Sequence, residues 1–339
     1  MKSLKYIGMA LAAFSCVQLA VAQDAPKLTA YVVVPGSKRV EKLDLERGDA
    51  NGSFFYLQRG TDQMLSAPAG SCKVFYIVQP ADMTNALREF YGGETADARK
   101  AFASIKKKYA AFAGLPGSPA TMAALHEVTC AARMVDLPAV KTLAAAVPGV
   151  KALNPCEESR LAAAKVLGEC ADTPESYAAV KAAIDELNKD KAALRNMDAE
   201  CYGWLCYAEG RSMAAQIPAD QQAGTIAADK VKTASQAVDK YCQAVISMHG
   251  AQKGMPEDAL NRAMKLLWAM PGVQDAAAKA SKPMDKKAWG KAPADFRDAV
   301  ALAHYLKTLY PAPADAPNAL ADQLDAYYCN ALEGTKKGE

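Results

Sequence analysis

Histidine is almost missing from this chain: it occurs only at His126, His249 and His304, and no G-x-S-x-G run marks a serine nucleophile. A local Ser-His or Cys-His catalytic signature is therefore absent. Aromatic residues make up only 7% of the chain, which excludes a core built on large rings. Beyond the N-terminal segment no stretch holds about 18 consecutive apolar residues, so no later transmembrane helix is expected. Charge of one sign is lacking as well. Removing Lys2 and Lys5 with a cleaved leader takes the 40 basic side chains to 38, against 37 acidic. Such balance gives no electrostatic case for nucleic acid or an anionic membrane as partner.

Alanine is abundant instead. It has the highest helix propensity, and its small side chain allows helices to approach closely. Residues Met1–Ala22 carry Lys2 and Lys5, then an apolar run from Ile7 to Val21, and end Ala20-Val21-Ala22. That pattern predicts a secretory signal peptide over 1–22, cleaved between Ala22 and Gln23. Lipidation at Cys16 is the weaker reading, because Phe14 fits an anchoring motif poorly. Export places the mature protein in the periplasm or cell envelope, or outside the cell. The eight remaining cysteines, Cys72, Cys130, Cys156, Cys170, Cys201, Cys206, Cys242 and Cys329, permit disulfides in such a compartment, in any of 105 full pairings. Buried thiols are the alternative.

From Lys27 to Val78 the pattern is β. LTAYVVV, RVEKLDL, SFFYLQ and CKVFYIV are separated by Pro35-Gly36-Ser37, by Gly48–Gly52, and by a longer loop around Gly60 and Pro68-Ala69-Gly70. Four or five strands are expected, forming a small β module over 23–80, a meander or an SH3-like barrel that leans on the helices after it. Asp82 is a candidate N-cap where helical spacing begins. Helices are expected over 83–91, 96–113, 120–135, 138–146, 156–170, 175–189, 191–216, 219–249, 256–270, 293–309 and 316–332. The long 219–249 span should break near Gly224, and 279–291 should be a loop. A helical array over 81–332 and a polar tail over 333–339 complete the expected organisation.

Leu87–Tyr109 contains two helical patterns meeting at Gly92-Gly93, with Ala98 where the second helix crosses the first and Phe102 at a bulky position. This segment resembles a tetratricopeptide unit. Looser copies follow at Met122–Val147 and Glu158–Leu187, and beyond Lys191 a fixed period is lost. The phrases PEDALNRAMKLLWAMPGVQD (256–275), PMDKKAW (283–289) and APADFRDAVALAHYLKTLYP (292–311) are similar to those of exported, alanine-rich helical-repeat proteins of verrucomicrobial bacteria. The resemblance implies an envelope protein of no assigned activity, and it carries no catalytic residues over. The expected fold class is mostly α: a tetratricopeptide-like α-helical repeat array preceded by a small N-terminal β module.

Several motifs invite chemistry. His126-Glu127-Val128-Thr129-Cys130 echoes a zinc-protease helix, but cysteine replaces its second histidine and no second Cys/His pair stands at ligand spacing. Cys201 and Cys206 are too far apart for a redox dithiol motif. Arg47-Gly48-Asp49 is most simply part of a hairpin turn, and read as a calcium loop it has Arg47 and Gln58 at ligand positions. Lys106-Lys107-Lys108 reads as a solvated helix face. Trp204, Trp268 and Trp289, with Tyr202, Tyr207, Tyr327 and Tyr328, are candidates to line a sugar-binding groove, but aromatics at helical spacing belong more often to the core, which is the expectation for Trp204 and Trp268. Trp289 differs, because it falls in a polar segment, where an apolar ring caps the array end or contacts a partner. It is the candidate partner contact.

No catalytic, cofactor or metal residue is assigned. The sequence favours a non-catalytic envelope protein acting as a helical-repeat scaffold for a protein partner of unknown identity. The alternative is a helical-cleft enzyme or glycan-binding protein. The sequence leaves the oligomeric state open.

Overall fold

Leu28, Ala30 and Val32 are buried while Tyr31 between them is exposed, the period-two signature of a sheet with one face on a core. The computed structural model describes residues 26–58, 61–248, 253–313 and 315–329. The expected signal peptide over 1–22, its cleavage point at Ala22 and Gln23, His249 and the tail 333–339 all lie outside the described residues. Among the described residues the fold is mostly helical, with one small N-terminal antiparallel sheet. No helix among them is long and apolar enough to cross a membrane.

The described residues divide into two compact units, one running up to Ala131 and including Thr142–Leu161, the other holding Ala132–Lys141 and the described residues from Ala162 on. In the first, β1 (Leu28–Val33), β2 (Glu41–Gly48), β3 (Ser53–Leu57), β4 (Met64–Pro68) and β5 (Val74–Ile77) form a sheet in the order β4-β3-β2-β1-β5. Strands β1 to β4 run as a meander, but β5 returns to pair with β1, with Tyr76 opposite Tyr31. The β2–β3 connection is a hairpin turn: Asp49 Oδ1 accepts from the N–H groups of Asn51 and Ser53, and Gly52 has φ 79°, a value costly for other residues.

Strand β4 falls in the segment expected to be a loop. Its sequence MLSAP has little β propensity, and it holds its place at the sheet edge, where Pro68 removes no ladder bond that a central strand would need. The inward side chains of the sheet share one core with Met83, Phe90, Phe102 and Phe112. These come from α1 (Ala81–Gly92), α2 (Thr95–Lys108) and the turn after it. Gly93, at φ 98°, ends α1, and Ala98 and Phe102 on α2 are fully buried. Asp82 is not the N-cap. Pro80 holds that position, and Asp82 instead binds Lys108 at 2.7 Å across the helix pair. Nor is the lysine run wholly solvated, since Lys106 pairs with buried Glu127.

Three helices, α3 (Pro119–Arg133), α4 (Leu137–Ala145) and α5 (Pro155–Gly168), contribute residues to both units. The second unit continues with α6 (Ser176–Leu187), α7 (Lys191–Arg195), α8 (Ala199–Ala214), α9 (Ala219–Ala223), α10 (Val231–Ser247), α11 (Met255–Trp268), α12 (Val273–Lys279), α13 (Lys286–Lys291), α14 (Ala294–Leu309) and α15 (Ala319–Asp325). The span 191–216 is two helices rather than one, because Asp198 accepts the Cys201 N–H and starts α8 afresh. The expected break near Gly224 separates α9 from α10. The segment 279–291 is not all loop. Asp285 caps α13 by accepting from the Ala288 N–H at 2.7 Å, so Trp289 sits on a short helix.

The longer helices of this unit pack in chain order, α6 on α8, α8 on α10, α10 on α11 and α11 on α14, and the short α15 packs on α14. Alanine makes this close packing possible: Ala234, Ala237 and Ala244 on α10 are fully buried. A Cβ at Gly210 of α8 would lie 3.1 Å from the Ala237 carbonyl oxygen, so the two backbones approach about as near as glycine allows.

Candidate functional site

Helix α11 has two faces. Leu260, Ala263, Met264 and Leu267 are buried, while Glu257, Asn261 and Lys265, spaced one turn apart, line a cleft of about 730 Å³. The other wall is made by Leu306 and Lys307 at the end of α14, the segment 310–313 and 316–318, and the start of α15. Pro311, Pro313 and Pro317 lack N–H donors, so this segment cannot continue α14 as a helix. It is fastened at one end by Asn318, whose Nδ2 donates to Asn261 Oδ1 at 3.0 Å and whose Oδ1 accepts the Ala321 N–H, capping α15.

Beside this wall a chain of polar and ring contacts reaches the residue singled out from sequence. Lys307 Nζ lies 3.0 Å from both Asp322 and Asp325. Asp325 also faces His304 Nδ1 at 2.9 Å, and His304 stacks on Tyr328, whose ring meets Trp289 edge-on at 6.1 Å. Burial pushes the Asp325 carboxyl up, but the bonds from His304 and Lys307 outweigh it and hold the group below its ordinary value. Trp289 is half-buried rather than fully exposed.

Asp258, which also lines the cleft, belongs to a second cluster. Tyr207 Oη donates to its Oδ2, and Arg262 Nε donates to the same oxygen at 2.6 Å. Arg211 on α8 donates from Nη1 to Tyr207 Oη at 3.0 Å and grips Asp172 through Nε at 2.7 Å and Nη2 at 2.5 Å. Arg262 Nη1 reaches Asp172 Oδ1 at 3.2 Å. Burial raises the Asp172 carboxyl, yet the two guanidinium groups overcome it and hold the group below the ordinary aspartate value. The Cys170 thiol close by is pushed by burial up to about 12, which leaves it an unreactive thiol near neutral pH.

Of the other aromatic residues marked in the sequence, Tyr207 belongs to the arginine cluster, Trp204 is fully buried, Tyr202 is half exposed, and Trp268 is half-buried. His126 stacks on Phe102 at 5.0 Å and meets Phe90 edge-on, which is a ring contact within the first core. Among the described residues no group of three His, Cys, Asp or Glu side chains is placed to hold a metal ion. Asp239 and Asp298 border a shallow hollow of about 280 Å³ with Cys242, and burial raises the Asp298 carboxyl. Apart from Tyr207, the members of the arginine cluster carry no mark in the sequence. They stand up to 90 positions apart, so no local spacing marks them. Compared with known proteins, the chain matches no family model, no characterised protein and no solved structure.

Proposed function

We propose that this protein is a non-catalytic scaffold of the bacterial cell envelope, a tetratricopeptide-like helical array that grips a protein partner in the cleft beside α11. The observation that carries this reading is the cleft itself, about 730 Å³ in volume and walled by a helix on one side and a proline-rich segment on the other. Its mix of Leu306, Tyr310 and prolines with Glu257, Asn261 and Lys265 suits an extended peptide, which needs apolar contact and side-chain partners for its backbone. Chain-order packing of the longer helices supports the array, and Ala98 and Phe102 supply the small crossing residue and the bulky one within its first helix pair. Export follows from the leader sequence ending at Ala22. The return of β5 to β1, with the short turn of 3₁₀ helix at Ala69–Ser71 before it, favours an SH3-like module over a simple meander.

One observation favours the alternative of a glycan-binding or cleft enzyme: the Trp289, Tyr328 and His304 rings gather next to Asp322 and Asp325. Cross-linking in intact native cells separates the two readings, comparing the wild type with Asn261→Trp, which fills the cleft. The scaffold reading expects one stoichiometric protein cross-linked through Lys265 or Lys307 and lost in the variant. Recovery of the same uncross-linked monomer from both chains would discard it and turn attention to oligosaccharide binding.

A further inference from the structure

We infer that Arg211 and Arg262 form a carboxylate-binding clamp that Asp172 of the same chain occupies. The clamp is built without Asp172. Arg211 keeps its bond to Tyr207 Oη, and Arg262 keeps its bond to Asp258 Oδ2, so both guanidiniums are aimed by residues other than the one they hold. Their side chains are mostly buried, with 13% and 29% exposed, whereas that of Asp172 is 55% exposed on the connection between α5 and α6. A displaced Asp172 would therefore move into water, while the arginines would stay where they are.

Charge and shape specify what replaces it. With Asp172 the four ionised groups sum to zero, and without it Arg211, Arg262 and Asp258 leave one positive charge, the balance for a single carboxylate. Nε and Nη2 of Arg211 meet the two oxygens of Asp172 in a fork, a planar match to a carboxylate that a lysine does not reproduce. The same cluster holds an unspent donor. Tyr241 is fully buried, its ring lies 5.9 Å from that of Tyr207, and its hydroxyl has no hydrogen-bond partner among the described residues. The ligand class is a carboxylic acid, either a small free acid or the C-terminal carboxylate of a peptide. The clamp borders the partner cleft at Asp258, which lines that cleft and aims Arg262, but it does not depend on the partner reading.

The test titrates acetate, inorganic phosphate and a tetrapeptide with a free or an amidated C terminus against the full chain, read by calorimetry and by the melting temperature. Asp172→Ala is expected to bind acetate or the free peptide about ten-fold more tightly than the wild type, with phosphate and the amidated peptide weaker. Adding Arg211→Lys should abolish the gain. Tighter binding of the free peptide than of acetate assigns the site to chain termini, and the reverse assigns it to small acids. Unchanged affinity of Asp172→Ala for both acetate and the free peptide, or equal response to phosphate, overturns the clamp. If Asp172→Ala does not fold, Asp172→Asn removes the charge at constant size. A saturable rise in its melting temperature with acetate supports the proposal, and a flat response overturns it.

Discussion

His304 lies flat on Tyr328, ring centroids 3.7 Å apart and planes inclined by 4°. His304 stands on α14 and Tyr328 follows α15, so the stack ties the last described stretch of chain to a long helix of the second unit. Asp325 orients the imidazole through Nδ1, and Trp289 meets Tyr328 from α13. The short helices α13 and α15 are thereby joined to the longer α14 by rings and one carboxylate.

Trp289 is shared between this cluster and solvent, whereas Trp204 is fully buried. Trp289→Ala is expected to cost about 1–2 kcal/mol and Trp204→Ala about 3–5 kcal/mol, since a fully enclosed aromatic leaves a cavity that the core closes only in part. Urea unfolding of the two variants checks the difference. Equal losses would place Trp289 in the core and remove it as a partner contact.

Asp172 and Asp325 share a sign in their pH dependence. Both carboxyls sit below the ordinary aspartate value in the folded chain, so each contributes stability that is present above that ordinary value and lost as pH falls through the lower folded value. The stability advantage of the wild type over Asp172→Asn, and over Asp325→Asn, should shrink as pH drops from about 5 toward about 2. Chemical denaturation across that range measures it. A constant gap would show that neither charge is held by its partners.

Tyr207 and Tyr241 are both buried, but only Tyr207 has hydrogen-bond partners for its hydroxyl among the described residues. Tyr207→Phe strips Asp258 of a donor and Arg211 of an acceptor, and should cost about 1.5–3 kcal/mol, the range for bonds to charged groups. Tyr241→Phe removes an unbonded hydroxyl and should be neutral or stabilising. Thermal melts of the pair distinguish the two outcomes.

Gly210 sets the approach of α8 to α10. A side chain there meets the Ala237 carbonyl oxygen at 3.1 Å and Tyr241 Cδ1 at 3.2 Å. Gly210→Val is expected to destabilise by about 1–3 kcal/mol through overpacking, despite valine's better helix propensity. An unchanged denaturation midpoint would mean that the helices slide apart without cost.

Much of the fold was legible from local pattern. Alternation in LTAYVVV marked β1, the Gly48–Gly52 turn joined β2 to β3, and Gly224 divided the long helical span, because each signal depends on neighbours a few residues apart. Strand β4 was not legible, since MLSAP owes its strand form to pairing with β3 rather than to its own residues. Trp289 was read as lying in a loop for a related reason: a six-residue helix held by the Asp285 cap has too few turns to show a periodicity.

The sequence by itself determined most of the helices, four of the five strands and the reliance on alanine for close helix packing, all properties of short windows or of composition. Only the tertiary structure decided that β5 lies beside β1, that the polar face of α11 opens onto a cleft, and that Asp172 is gripped by Arg211 and Arg262. The separations of 39 and 90 residues in that last group give the reason. Charges so far apart carry no spacing rule and meet only after the apolar faces of their helices have been buried, which sets where every polar side chain must emerge.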